Sequence, residues 1–216
     1  MQHATQKRPR GRPSKQATAD LKSAILDGAI RLFAERGFEA VYIKDIARTT
    51  GVAPSLVHHH FGTREGLRSA CRDYVIVQIR ETLADYENMV PDDGTTDLIS
   101  MYGTAVRAGL GDRPHLLRFL AVTLMEPHED SRALFQDYYD IFHKLTTRSV
   151  ASGFLRDDVD PRWLTLHAIY LQLGTAFLYD TLAHSFGEDP YSSAESTERT
   201  KAFGEIAKDG VLRQKG

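Results

Sequence analysis

The sequence predicts an all-α protein in which a small N-terminal unit of three helices is followed by a larger helical unit. Apolar residues recur every three or four positions along most of the chain, which is typical of amphipathic helices. Gly and Pro clusters, such as those at 91–94 and 187–190, separate these stretches. The sequence lacks the apolar–polar alternation between hairpin turns that would predict strands. Its 216 residues, 42% hydrophobic and 26% charged, suffice for one large or two small domains with a buried core.

The first predicted helix, 19–36, has a buried stripe of apolar residues and ends at Gly37. Residues 43–61 then predict two short helices joined by a tight turn. Gly51 fits the left-handed residue that ends the first of them, and Pro54 fits the first turn of the second, where its missing N–H has no intrahelical partner.

The pair of short helices predicts one buried face and one polar face. We expect Ile46, Ala47, Val52 and Val57 to face inward, which leaves Ser55, His58 and His59 exposed on the second helix. Small and polar side chains of this kind can enter a DNA major groove. The stretch is therefore a helix-turn-helix candidate.

Two other interpretations of 43–61 remain open. One is an ordinary helical hairpin within a core. The other is a metal site at the consecutive histidines His58, His59 and His60. Helix geometry argues against this site, because successive side chains point about 100° apart and do not converge on one ion.

Residues 26–67 resemble the DNA-binding domain of the TetR family of one-component transcriptional regulators. The resemblance lies in the run 29–38 (Ala-Ile-Arg-Leu-Phe-Ala-Glu-Arg-Gly-Phe), in the pairs at 46–47, 51–52 and 60–61, and in 64–67. The chain differs from the commonest family pattern at four positions, where it has Tyr42, Ala53, His58 and Arg64. The DNA contacts that the resemblance and the turn geometry imply fall on Tyr42, Lys44, Pro54, Ser55, Leu56, His58, His59, Thr63 and Arg64.

Charge is distributed unevenly along the chain. Residues 1–72 contain 13 Lys and Arg against 6 Asp and Glu, a balance of +7, whereas the remainder has 14 against 23, a balance of −9. A polyanion is thus the expected partner of the first third. Within residues 1–18, a predicted disordered basic arm, the run 9–13 resembles an AT-hook core whose Arg10 and Arg12 would enter an A/T-rich minor groove. A solvated tail is the alternative.

The sequence excludes several other classes of protein. It contains no apolar run of 18 residues and no secretory leader, so we expect a cytoplasmic protein without a membrane segment. It contains no phosphate-binding glycine loop, nucleophile elbow or metalloprotease motif, so we expect neither an enzyme nor a bound cofactor. The single cysteine, Cys71, is expected to pack as a small apolar residue.

The remaining helices are predicted between clear breakers. Thr63 is the expected N-cap of a long helix that reaches about residue 88 and joins a DNA-binding domain (19–72) to a ligand-binding and dimerisation domain (73–216). Further helices are predicted at 96–110, 113–125, 131–152, 161–186 and 194–212. Glu126, His128 and Glu129 fall in a predicted loop, where solvated side chains are expected and metal binding is the alternative.

The resemblance implies a homodimer that pairs through the last two helices, and a small-molecule cavity enclosed by the helices before them. Aromatic and apolar residues that can line such a cavity are Tyr74, Met101, Tyr102, Phe119, Tyr138, Phe142, His167 and Tyr170; packing in the core is the alternative for each. The implied function is that of a repressor released from a palindromic operator by a small molecule. An architectural DNA-binding protein without a ligand is the second possibility.

Overall fold

The structure, a computed structural model, describes residues 15–89 and 113–210, and all its regular elements there are α-helices. The N-terminal part consists of α1 (Lys15–Arg36), α2 (Ile43–Thr50) and α3 (Pro54–Phe61). α4 (Arg64–Met89) follows after a two-residue connection. α1, α2 and α3 each end directly before a Gly with positive φ, and α3 begins at Pro54, so local backbone preference sets these boundaries.

Five helices follow the undescribed segment 90–112. They are α5 (Pro114–Met125), α6 (Glu129–Ala151), α7 (Pro161–Phe177), α8 (Tyr179–Phe186) and α9 (Ser193–Gly210). Pro114 and Pro161 each occupy the first turn of their helix, where no intrahelical hydrogen bond is lost. The helix predicted at 96–110 lies outside the described residues, as do the arm residues 1–14 and the last residues of the helix predicted at 194–212.

One apolar core runs through the described helices. α1 packs most extensively against α5, and α4 packs against both α1 and α6. Ile25, Ile30 and Phe33 of α1 belong to the same buried cluster as Leu116 and Phe119 of α5. Burial of this apolar surface is the main force that holds the three N-terminal helices against the rest of the chain.

Two helices begin earlier than predicted by two residues or more. α1 begins at Lys15, four residues earlier than predicted. α6 begins at Glu129, because the Nδ1 atom of His128 accepts a hydrogen bond of 3.1 Å from the backbone N–H of Asp130 and caps the helix. Histidine is not among the usual capping residues, so this start could not be predicted from the residue types alone.

The single helix predicted at 161–186 is in fact two helices. Leu178, with φ −100° and ψ 11°, separates α7 from α8 although the sequence has no Gly or Pro there. Tyr179 directly after the break stacks on Tyr191 with ring centroids 5.6 Å apart, and the Arg118 guanidinium lies 4.4 Å from the Tyr179 ring. These tertiary contacts favour an interruption of the helix that helix propensity does not predict. Among the described residues, no helix is long and apolar enough to span a membrane.

Candidate nucleic-acid interface

A tight turn between α2 and α3 sets the angle of the candidate reading helix. Gly51 has φ 71° and ψ 22°, the left-handed conformation that a side chain disfavours. The backbone N–H groups of Gly51 and Val52 both donate to the carbonyl oxygen of Ala47, which satisfies the end of α2. The turn is therefore specified by Gly51, as the sequence indicates.

α3 buries one side and exposes the other. Val57 is fully buried and Leu56 partly so, whereas Pro54, Ser55, His58 and His59 are exposed. Ser55, His58 and His59 are polar and the Pro54 ring is small, so these exposed positions carry no bulky apolar group. This face can approach the edges of DNA bases without burying an unpaired charge.

His58 is held by the chain that follows α3. Its Nδ1 atom lies 2.9 Å from the carbonyl oxygen of Gly62. Because a carbonyl oxygen only accepts hydrogen bonds, Nδ1 carries a proton, and in neutral His58 the Nε2 atom is then an acceptor. Such an imidazole can donate to a phosphate through Nε2 only when it is protonated.

Arg64, a predicted phosphate contact, is engaged within the protein. Its Nη1 atom donates to the carbonyl oxygen of Val41 at 3.4 Å, and its Nη2 atom lies 3.3 Å from Glu39 Oε2. Its guanidinium carbon lies 4.2 Å from the centre of the Phe38 ring. These contacts tie the start of α4 to the α1–α2 turn.

Two other predicted contacts lie beside the start of α2. Tyr42 is 55% exposed and precedes the helix, and its N–H donates to the Asp45 carboxylate at 3.2 Å. The Lys44 ammonium lies 5.5 Å from the Tyr42 ring centre, an exposed cation–π arrangement. The exposed pair offers a hydroxyl and a positive charge on the same edge of the helix pair.

The connection between α3 and α4 is closely packed. Thr63 caps α4, since its Oγ1 atom accepts a hydrogen bond of 3.0 Å from the backbone N–H of Gly66. A Cβ atom on Gly66 would lie 2.4 Å from the carbonyl oxygen of Phe61, a backbone atom of α3. The absence of a side chain at Gly66 therefore allows α4 to lie directly against the end of α3.

A polar cluster at the end of α5 joins the two parts of the chain, and sequence reasoning missed it. Glu126 contacts Arg68 of α4 and the backbone N–H of Phe38. Asp130 accepts from Arg72 Nη1 at 2.8 Å and from Ser69 Oγ at 3.1 Å. Glu126, directly after α5, and Asp130, in the first turn of α6, are thus both bound to α4. The described residues contain no group of three or more His, Cys, Asp or Glu that could hold a metal ion.

The predicted cavity residues separate into two groups. Phe119, Tyr138 and Phe142 are buried together in the core, where Tyr138 and Phe142 have ring centroids 4.7 Å apart, and Tyr74 packs against the same core. Tyr138 donates to Gln172 Oε1 at 2.8 Å. Met101 and Tyr102 lie outside the described residues.

His167 and Tyr170 lie elsewhere, which corrects the expectation that they face the interior. Both are exposed on α7, with Tyr170 54% exposed. The helical spacing that suggested an inward stripe instead places them on the outer face of α7. That face, here called the α7 stripe, consists of Trp163, His167, Tyr170, Leu171, Gly174, Phe177 and Leu178.

A three-helix unit with a Gly turn and an exposed polar third helix defines the helix-turn-helix class of DNA-binding proteins. Residues 25–71 match the family described as bacterial regulatory proteins, tetR family. The chain belongs to the TetR family.

The relatives that the chain matches are named as HTH-type transcriptional regulators. The chain is 33% identical over 147 residues to the HTH-type transcriptional regulatory protein RaaS of Mycobacterium tuberculosis, which covers 67% of this chain and 65% of that protein. It is 38% identical over 60 residues to the regulator BetI of Rhizobium meliloti, across 28% of this chain and 30% of that protein. The match to the repressor AcnR of Corynebacterium efficiens, 24% identical over 155 residues, covers 68% and 74% of the two chains.

Solved structures agree in fold. A TetR transcriptional regulator from Chloroflexus aurantiacus superposes with a TM-score of 0.68 at 20% identity, covering 92% of this chain and 100% of that one. The regulator FadR of Bacillus subtilis, solved with stearoyl-CoA, has a TM-score of 0.65 at 16% identity and covers 83% and 95%. At these identities the likeness establishes the fold of the chain.

Proposed function

We propose that the protein is a homodimeric transcriptional repressor that binds a palindromic operator through α3 and leaves it when a small molecule binds. The observation that carries this proposal is the outer face of α3, where Ser55, His58 and His59 are exposed beside a fully buried Val57. In this proposal Ser55 and His59 read base edges, and Leu56 contacts a thymine methyl group.

Contacts with the DNA backbone surround this reading face. Tyr42, Lys44 and the N-terminal end of α4 at Thr63 lie at exposed positions, and His58 is exposed beside them. A helix N-terminus favours a phosphate because its backbone N–H groups and dipole point outward. Arg64 acts indirectly, through its contacts with Val41 and Glu39.

The dimer is proposed to form through the α7 stripe. Trp163, Tyr170, Leu171 and Leu178 are each at least half exposed, and these apolar side chains recur at helical spacing. A Cβ atom on Gly174 would have no neighbour within 4 Å, so a helix of a second copy has room to approach closely. Two copies related by a two-fold axis place their α3 helices in successive major grooves about 34 Å apart.

The proposed effector site lies among the buried aromatic residues Phe119, Tyr138 and Phe142, with Tyr74 of α4 at its edge. α4 runs without interruption from Arg64 to Met89, so movement near Tyr74 is transmitted to the helix pair that it supports. By thermodynamic linkage, a ligand that weakens operator binding must bind more weakly to the DNA-bound dimer by the same factor.

Selection of genomic DNA fragments by the purified protein tests this function. The expected result is one palindromic sequence. The variants Ser55→Ala and His59→Ala should each lose about 1–3 kcal/mol of binding free energy on that sequence, while their affinity for random DNA changes little. Equal losses on both kinds of DNA would show that α3 does not read bases. Selection of no sequence at all would favour an architectural role.

A further inference from the structure

The strongest unassigned contact in the described structure is made by Glu126, the residue that ends α5. Its backbone is extended, with φ −90° and ψ 133°, so its side chain leaves the helix axis. One carboxylate oxygen, Oε2, lies 2.6 Å from Nη2 of Arg68 in α4. The other, Oε1, accepts a hydrogen bond of 3.4 Å from the backbone N–H of Phe38. A single side chain thus contacts both α4 and the α1–α2 turn.

The pair with Arg68 is shielded from water. The Arg68 side chain is 5% exposed and that of Glu126 28%. No described residue offers Arg68 Nη2 a well-directed hydrogen bond, so its charge is balanced by the ion pair with Glu126 and by the more distant Asp130, 3.8 Å from Nε. A buried cation that loses its partner is unfavourable, and this makes the arrangement sensitive to the charge of Glu126.

Phe38 lies at the centre of these contacts. The guanidinium carbons of Arg64 and Arg68 lie 4.2 and 4.4 Å from its ring centre, and the Phe33 ring of α1 lies 5.2 Å away. Its backbone N–H, immediately after the end of α1, is the group that Glu126 binds. The turn that leads into α2 is therefore held from α1, from α4 and from α5.

Glu126 is also the last of three residues by which α5 and its C-terminal end contact the N-terminal helices. His115 and Phe119 are four residues apart on one face of α5, and Glu126 follows directly after the helix. They contact Asp27, Phe33 and Phe38 respectively. Phe119 belongs to the buried aromatic group as well, so the same helix borders the proposed effector site and holds the helix-turn-helix.

We propose that Glu126 is a positioning residue that fixes the orientation of the helix-turn-helix relative to the dimer interface. Its orientation in turn sets the half-site spacing that the dimer accepts. This inference rests on the proposed function. In a two-fold dimer, the separation of the α3 helices depends on how the three N-terminal helices of each copy, here called the reading unit, are held against the rest of the chain. Loss of the Glu126 charge removes the ion pair with Arg68 and so weakens the link between the end of α5 and α4, which supports the α1–α2 turn, without removing any group that faces DNA.

The test uses Glu126→Gln, which keeps an acceptor for the Phe38 N–H and removes the charge that balances Arg68. Affinity is measured by gel shift on the operator selected by the wild-type protein, and on versions with one base pair inserted or deleted at the centre. For the wild type we expect each spacing change to weaken binding at least about tenfold. For Glu126→Gln we expect about tenfold weaker binding to the operator with native spacing. The spacing penalty, meaning the further loss of affinity when one base pair is inserted or deleted, should then be about threefold or less.

Asp137→Asn is the matched control. Asp137 of α6 forms an ion pair of 3.2 Å with Arg80 of α4, away from the turn, so its loss removes one carboxylate between the same parts of the chain. This variant should keep the wild-type spacing profile. A merely structural role for Glu126 would lower the folded fraction and shift all three affinities in parallel.

Two further outcomes separate this inference from the function on which it rests. A wild-type protein that selects an operator, together with a Glu126→Gln variant whose spacing penalty is unchanged, would overturn the positioning role and leave the repressor function intact. A wild-type protein that selects no operator overturns the proposed function and this inference with it. Glu126→Ala, which also removes the acceptor for Phe38, should flatten the profile at least as much as Glu126→Gln.

Discussion

His115 Nε2 lies 2.8 Å from Asp27 Oδ1, so a buried histidine of α5 is bound to a carboxylate of α1. Burial lowers the pKa of His115 below 6.5, an effect that the hydrogen bond to Asp27 opposes and that Arg31 and Arg113 reinforce. Its Nδ1 atom is buried and has no hydrogen-bond partner among the described residues, so protonation would place an unpaired N–H there.

The lowered pKa of His115 predicts a loss of stability in weak acid. As pH falls below 6.5, the unfolded chain binds a proton at His115 before the folded chain does, so the free energy of unfolding decreases. Burial raises the pKa of Asp27, but the hydrogen bonds from Arg31 and His115 outweigh this effect and hold the pKa below 3.8. Asp27 therefore stays ionised in weak acid and does not contribute to this loss.

Urea unfolding at pH about 7.5 and about 5.5 measures this effect. His115→Gln can keep a donor toward Asp27 but does not titrate, so the variant should lose less stability between the two pH values than the wild type does. The same loss in both proteins would show that His115 does not contribute to the pH dependence.

Gly66→Ala should destabilise the reading unit. The new Cβ atom would lie 2.4 Å from the Phe61 carbonyl oxygen, so the backbone of α3 or α4 must move. We expect a loss of about 1–3 kcal/mol in the free energy of unfolding, with weaker operator binding. The neighbouring Glu65→Ala, at an exposed position, should change stability by less than about 1 kcal/mol. Equal effects of the two substitutions would argue against close contact of the two helices.

Leu171→Glu should yield a monomer if the α7 stripe is the dimer interface. Leu171 is 53% exposed in the single chain, and a carboxylate buried between two copies would lack a partner. Light scattering after size-exclusion chromatography measures the mass. Val77→Glu, at a 45% exposed apolar position of α4, is the control and should remain a dimer. A dimeric Leu171→Glu would place the interface elsewhere.

The basic arm supplies a prediction that does not depend on the described helices. Arg10→Ala with Arg12→Ala should weaken binding more on operators flanked by A/T than on those flanked by G/C, because narrow A/T-rich minor grooves attract guanidinium groups. Gel shifts on operators that differ only in their flanks measure this preference. Equal weakening on both would identify the arm as a non-specific electrostatic tail.

Local signals in the sequence predicted the reading unit well. Gly51 adopts the left-handed conformation, Pro54 opens α3, and Val57 is buried as the helical period requires. Each depends on backbone conformation or on the pattern within a few residues, which sequence reasoning can evaluate directly. The roles of individual DNA contacts remain predictions.

Contacts between distant segments were less predictable. Glu126 was expected to be a solvated loop acid, but it binds Arg68, 58 positions earlier in the chain. The break at Leu178 reflects the stacking of Tyr179 on Tyr191, and the outward direction of Tyr170 reflects which side of α7 meets α6. No periodicity or motif records such pairings, because they depend on the three-dimensional arrangement of helices.

The early start of α1 at Lys15 limits the reach of the arm. A fully extended chain spans at most about 3.6 Å per residue, so Arg12 can lie no more than about 11 Å from Lys15 along the chain, and Arg10 no more than about 18 Å. Both arginines therefore lie within a distance of Lys15 that is shorter than one helical turn of DNA. If they enter a minor groove, it must be one that passes beside the start of α1, so sequence preference from the arm would extend each half-site by only a few base pairs.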